Sequence, residues 1–255
     1  MELPEGTILT FGLVLVRVSA LVLAAPMFGL ALPFSGARVG LIGVLALFAV
    51  STVTAPVGLD PDPLVFGALA LRETAIGLAL ALVLHAVVLA VRVGGELIGH
   101  EMAFNMATQV DPSGVNTPLI TQMHEGLFLI GLFALDGHHL VVRALFDSFE
   151  RAPIGGAVFP VGVAETLLRL VADMYTAGLT FAAPVLIVMV LVSVMIGLLG
   201  RAVPQINVME VGFTLRILGA LVAMFCFAPL LAPVMRQLHG ALASGLDVVL
   251  GALEA

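Results

Sequence analysis

The stretch from Val65 to Val91, VFGALALRETAIGLALALVLHAVVLAV, decides the fold. A helix needs about 20 consecutive apolar residues to cross the hydrocarbon of a bilayer. This stretch exceeds that length with only Arg72, Glu73 and His85 as ionisable residues. It shows none of the apolar/polar alternation that a half-buried strand requires, so it reads as one long membrane-type helix.

Comparable runs lie on both sides of it. Ile8 to Phe34 is interrupted by Arg17, Pro26 and Pro33, and Val39 to Pro56 ends in the turn-rich Val57-Gly58-Leu59-Asp60-Pro61-Asp62-Pro63. Downstream come a polar, Gly-rich interval from Arg92 to Pro118, then Leu119 to Leu145, a Gly/Pro loop from Pro153 to Pro160, Ala177 to Leu199, and Val211 to Leu231. A weaker amphipathic tail runs from Leu238 to Leu253. The expectation is an all-α, membrane-type protein of about six long, kinked apolar helices in a single domain over residues 1–255. Without alternating segments a β-barrel is excluded.

Composition agrees. Of 255 residues, 61% are hydrophobic and 11% charged, against roughly 45–50% and about 25% in ordinary soluble domains. A water-facing exterior cannot absorb that difference, so lipid or other apolar subunits must solvate much of the surface. The net charge of −7, with ten Arg and no Lys, excludes the basic footprint that nucleic-acid binding needs. The single Cys226 cannot close an intrachain disulfide and reads as a small buried hydrophobe. The acidic start, Met1-Glu2-Leu3-Pro4-Glu5-Gly6, is the reverse of a signal peptide, and the first apolar run is expected to be retained.

Two features sit badly with simple lipid-facing spans. Pro26, Pro184, Pro229 and Pro233 fall inside apolar segments, where each removes a backbone donor and kinks the helix. The apolar runs also carry charges, at roughly 2.5–3.5 kcal/mol each at membrane depth. Both point to a chain packed against protein on several sides. Gly36 with Gly40, and Gly95 with Gly99, have the small-xxx-small spacing that lets helices approach closely.

Two polar stripes carry the possible chemistry. His85, Arg92, Glu96 and His100 share one face if the third helix continues past Gly94-Gly95, and Asp136, His139, Arg143 and Asp147 make a second. They read either as a proton or ion relay or as buried ion pairs fixing helix register. Arg72 and Glu73 are adjacent, so they are expected to point apart and serve different neighbours. Enzyme motifs are missing: His124-Glu125 lacks the second His of a zinc-protease motif, His138-His139 are adjacent rather than on one helix face, and there is no phosphate loop or nucleophile elbow. No enzyme, metal or cofactor is expected. Phe104 and Met106 lie in the broken interval, and irregular backbone at membrane depth survives only when packed in protein or lining a cavity. Glu101 to Pro118 is therefore the leading functional segment.

At this interval the sequence resembles a known family. Gly94-Gly95-Glu96-Leu97-Ile98-Gly99, then Met102, Phe104, Ala107-Thr108 and Asp111-Pro112, is similar to the central signature of the FliR family of flagellar export-gate proteins. The likeness continues through Leu135-Asp136-Gly137-His138-His139 and Asp147-Ser148-Phe149 to Pro153, and returns in Ala183-Pro184 and Gly200-Arg201-Ala202-Val203-Pro204-Gln205-Ile206-Asn207. It departs at Ala103, where the family has Gly, and at the more polar Asn105 and Gln109.

The resemblance implies a non-enzymatic subunit in the bacterial inner membrane, at the flagellar basal body. Its helices pack as hairpins in a gate with FliP and FliQ, joined by FlhB and FlhA, and unfolded flagellar subunits pass through. It further implies a plug loop with Met102, Phe104, Met106 and Thr108 in contact and Asp111-Pro112 shaping it. Gly94, Gly95 and Gly99 would bend and pack the helix leading in. Arg201, Pro204, Gln205 and Asn207 would form a polar junction with neighbouring subunits, while Glu96, Asp136, His139 and Arg143 stay as a buried polar stripe. A virulence-type secretion subunit and a small secondary transporter using the His/carboxylate stripes are the alternatives.

Overall fold

The structure is a computed structural model and describes residues 5–31, 35–53, 62–102, 118–156, 163–203, 205 and 207–253. Among these there are nine α-helices, one 3-10 turn and no strand, so the all-α membrane-type reading holds. The helices are α1 (Glu5–Ala24), α2 (Pro26–Ala31), α3 (Ser35–Thr52), α4 (Pro63–Glu101), α5 (Leu119–Ala134), α6 (Gly137–Arg151), α7 (Val163–Ala202), α8 (Val208–Phe227) and α9 (Leu231–Ala252).

The breaks follow local chemistry. Ala25 interrupts α1 and α2, with Pro26 at the first position of the new helix, where its missing N–H costs nothing. Asp62 caps α4 by accepting the Leu64 N–H at 3.0 Å, ahead of Pro63 at the same favourable position. Between α8 and α9, Ala228–Leu230 tightens to a 3-10 turn around Pro229, and Pro233 sits in the first turn of α9. Pro184 is retained inside α7.

Two expectations need correction. The apolar run from Leu119 to Leu145 is not one helix: α5 ends at Ala134, and Asp136 turns with a φ of 58° before α6 begins. Asp is one of the few residues that tolerates this left-handed conformation. Conversely, α4 does not break near Gly94-Gly95 but continues for 39 residues to Glu101. Isolated glycines weaken a helix by about 1 kcal/mol without ending it.

Among the described residues three stretches are long and apolar enough to cross a membrane, α4, α7 and the α8–α9 run, and α5 with α6, bent by 70°, makes a fourth if the pair is one broken span. They differ in cover. The most apolar part of α4 is 61% buried, that of α7 22%, and that of the α8–α9 run 11%. Protein solvates α4, whereas α7 and α8 present Ile187, Val190, Leu191, Val194, Leu198, Leu221, Val222 and Phe225 outward. Such a surface needs lipid or neighbouring subunits.

The described residues form two compact units. The first comprises residues 1–86, 136–171 and 240–255, the second residues 87–135 and 172–239. In the first, α1 packs along α3 and meets α4 so closely that a Cβ on Gly77 would stand 2.8 Å from Ala20 Cβ. In the second, Ile98, Met102, Ile120, Ala182, Val185, Met189, Ala220 and Ala223 form a buried core.

Candidate functional site

In the second unit the residues flanking the expected plug segment are firmly placed. Met102 is fully buried in the core just described, and Pro118, where the description resumes, is buried too. Ile98 and Met102 before the segment and Ile120 after it share that core. Phe104, Met106, Thr108, Asp111 and Pro112 themselves lie outside the described residues.

The glycines leading into Met102 serve close approach. A Cβ on Gly94 would overlap the Phe181 ring of α7, and one on Gly95 would stand 2.9 Å from Thr121 Cα of α5. From the other side, a Cβ on Gly178 of α7 would meet the Ala90 carbonyl of α4. Gly99 is buried on the same helix. Because α4 is continuous here, these positions are packing contacts rather than a break. Beside them lies an apolar cleft of about 450 Å³, lined among others by Met123, Leu127, Phe181, Pro184, Met224 and Phe227. His124 reaches into it, its ring edge-on to Phe181 with centroids 5.6 Å apart, and its Nδ1 is 2.8 Å from the Ile120 carbonyl.

In the first unit, the charges that interrupt the apolar runs come together as one buried set. Arg17 on α1 is fully buried. Its Nε donates to Glu73 Oε2 at 2.6 Å and its Nη2 lies 2.5 Å from the same oxygen. Nη1 donates to the Ser148 carbonyl at 2.7 Å and to Ser148 Oγ at 3.1 Å, and Nη2 to the Ala152 carbonyl at 2.8 Å. All five guanidinium protons are thereby directed at acceptors, and the Phe149 ring lies 4.4 Å below the guanidinium carbon. Arg72 donates to Glu73 Oε1 at 2.9 Å and to the Pro153 carbonyl at 3.1 Å.

Glu73 is thus shared by two arginines, and the expectation that Arg72 and Glu73 serve different neighbours is overturned. Long side chains reach back from adjacent helical positions, and a fully buried carboxylate takes whatever cations are within range. The arginines also meet the carbonyls around the C-terminus of α6, where a helix has unpaired acceptors and partial negative charge. One buried set therefore ties α1 and α4 to the end of α6 and the turn after it.

The expected buried polar stripe is corrected. Asp136, His139 and Arg143 are exposed and only Glu96 is half-buried. α6 is strongly amphipathic, and its apolar face, with Val141, Ala144, Leu145 and Phe149, takes the buried side, leaving the charged face outward. On α4, His85 and His100 are exposed. Arg92, half exposed, pairs with Glu125 of α5 at 2.6 Å, and Glu101 faces Arg216 at 3.8 Å.

The polar junction expected around Arg201 lies between α7 and α8. Arg201, Gln205 and Asn207 are exposed, with Asn207 immediately before α8 and its Nδ2 3.5 Å from Glu210; Pro204 lies outside the described residues.

Comparison with known proteins adds the following. A family model described as "Bacterial export proteins, family 1" matches residues 8–242. The flagellar biosynthetic protein FliR of Bacillus subtilis (strain 168) is 32% identical over 212 residues, covering 81% of each chain. FliR of Escherichia coli (strain K12) is 31% identical over 171 residues, 67% of this chain and 66% of the relative. FliR of Pectobacterium carotovorum subsp. carotovorum is 28% identical over 225 residues, 88% and 85% of the two chains.

Proposed function

The chain belongs to the bacterial export proteins of family 1, and on that premise we propose that it is a core subunit of the flagellar protein export gate. It would assemble with FliP, FliQ and FlhB, and with FlhA, in the inner membrane at the flagellar basal body, and pass unfolded flagellar subunits without catalysing a reaction. The match over residues 8–242, together with the similarity to relatives named for flagellar biosynthesis, carries this reading and favours a flagellar over a virulence-type system.

The physical chemistry supports it. A pore subunit needs a rigid frame, apolar faces for its neighbours and a deformable seal. The ion set around Glu73 supplies rigidity in one unit, and the outward apolar residues of α7 and α8 supply faces for lipid or subunits. The segment held between Met102 and Pro118 carries Phe104 and Met106, and thioether and aromatic side chains close a pore without demanding one partner shape. Asp111-Pro112 would shape this plug. The transporter alternative loses support, because its stripe residues Asp136, His139 and Arg143 are exposed.

The plug assignment is tested by conductance of the complex reconstituted in liposomes. Replacing Phe104 to Thr108 by small residues should make the idle gate leak ions; a gate as tight as the unaltered one would remove the role. In the same preparation Arg201→Ala with Gln205→Ala should lower the yield of assembled complex. An unchanged yield would remove the proposed junction.

A further inference from the structure

We propose that Asp136, His138 and His139 bind one divalent transition-metal ion of the zinc class. The three residues open α6, and each offers a ligand atom within 4.8 Å of the others. His139 Nδ1 lies 3.3 Å from Asp136 Oδ1. Tetrahedral coordination with bonds of about 2.0–2.1 Å places neighbouring donors about 3.3 Å apart, so this pair already has the spacing a bound ion imposes. The His138 ring lies alongside, its centroid 4.1 Å from that of His139 and its plane tilted by 36°.

The backbone turns sharply at the first of these residues. Asp136 is the only non-glycine residue with positive φ among the described residues. This conformation costs roughly 1–3 kcal/mol and recurs at functional sites. Asp136 stands immediately before the first turn of α6, where the two sequence-adjacent imidazoles lie side by side.

The donor set selects the ion. Two imidazole nitrogens and one carboxylate suit zinc or nickel, whereas magnesium and calcium require oxygen donors. Three protein ligands leave a fourth position for water. His139 and Asp136 have 72% and 75% of their side chains uncovered by the rest of the chain, which leaves room for an ion between them. A helix N-terminus repels cations, so the Asp136 carboxylate must offset that field, and its loss is the most damaging change.

The test uses the full chain, co-expressed as its complex, purified in detergent with a histidine-free tag and stripped of metal. Calorimetric titration with zinc in excess magnesium should show one equivalent per chain. Asp136→Asn and His139→Gln should each weaken binding about tenfold or more, while His85→Ala, at an exposed histidine elsewhere, should not. Absence of saturable binding, or affinity indifferent to both ligand variants, overturns the site. Should either variant fail to assemble, the unaltered chain still decides: saturating zinc should shield His138 and His139, but not His85, from diethyl pyrocarbonate. Equal modification of all three with and without zinc overturns the proposal.

Discussion

Replacing Glu73 by Gln should destabilise the chain by about 3–5 kcal/mol, the usual cost of removing one partner of a buried ion set. Arg17 is fully buried, and Glu73 is the only carboxylate among its hydrogen-bond and ion-pair partners. The variant keeps the shape of Glu73 while removing its charge, so two arginines are left facing a neutral amide. Loss of the folded chain from the purified complex, or a sharply lower thermal midpoint in detergent, is the expected readout. The double change Arg17→Met with Glu73→Met should do less harm than Glu73→Gln alone, because the fully buried Arg17 leaves together with its partner and only the less deeply buried Arg72 loses Glu73. By contrast, Arg92→Ala breaks a pair whose arginine is half exposed and should cost no more than about 1 kcal/mol. A Glu73→Gln chain as stable as the unaltered one would show that the buried set is not what holds the α6 end to α1 and α4.

The second large effect is expected at Gly178. A Cβ there would collide with the Ala90 carbonyl oxygen and stand 3.1 Å from both Ala90 C and Cα. These are backbone atoms of α4 and cannot rotate away as a side chain can. Gly178→Val should therefore force α4 and α7 apart, at about 1–3 kcal/mol for overpacking. The adjacent core, with Ala182 on α7 and Ile98 and Met102 on α4, would loosen with it. Gly126, whose Cβ would meet nothing within 4 Å, is the control: Gly126→Ala should be neutral or stabilise by up to about 1 kcal/mol. Comparing complex yield and thermal midpoint of the two variants isolates the packing contact from helix propensity. Equal stability of both would refute it.

Much of the helical architecture was legible from hydropathy, because membrane-type helices announce themselves by length and apolar run. What hydropathy could not carry was where those runs break. Leu119 to Leu145 is unbroken by any polar residue from Gly126 to Leu135, and only the Asp136-Gly137 pair, a known left-handed signal, marks the turn. Gly94-Gly95 read as a site of both bending and close packing, and tertiary contact shows the packing on a helix that runs on unbroken. Arg17, Arg72 and Glu73 were visible as misplaced charges, yet Arg17 and Glu73 are 56 positions apart and their meeting is a fact of tertiary structure. Asp136, His139 and Arg143 failed as a buried stripe for a related reason. Helical spacing says which residues share a face, not which face turns inward, and the apolar residues of α6 decided that.

The central claim, that this chain is a subunit of a flagellar export gate, is tested most directly by secretion. Its gene is deleted in the bacterium that carries it, and flagellar subunits are measured in the medium, with and without the chain restored from a plasmid. The account predicts that secretion stops on deletion and returns with the intact chain. Flagellar subunits secreted at the ordinary level without the chain would contradict it.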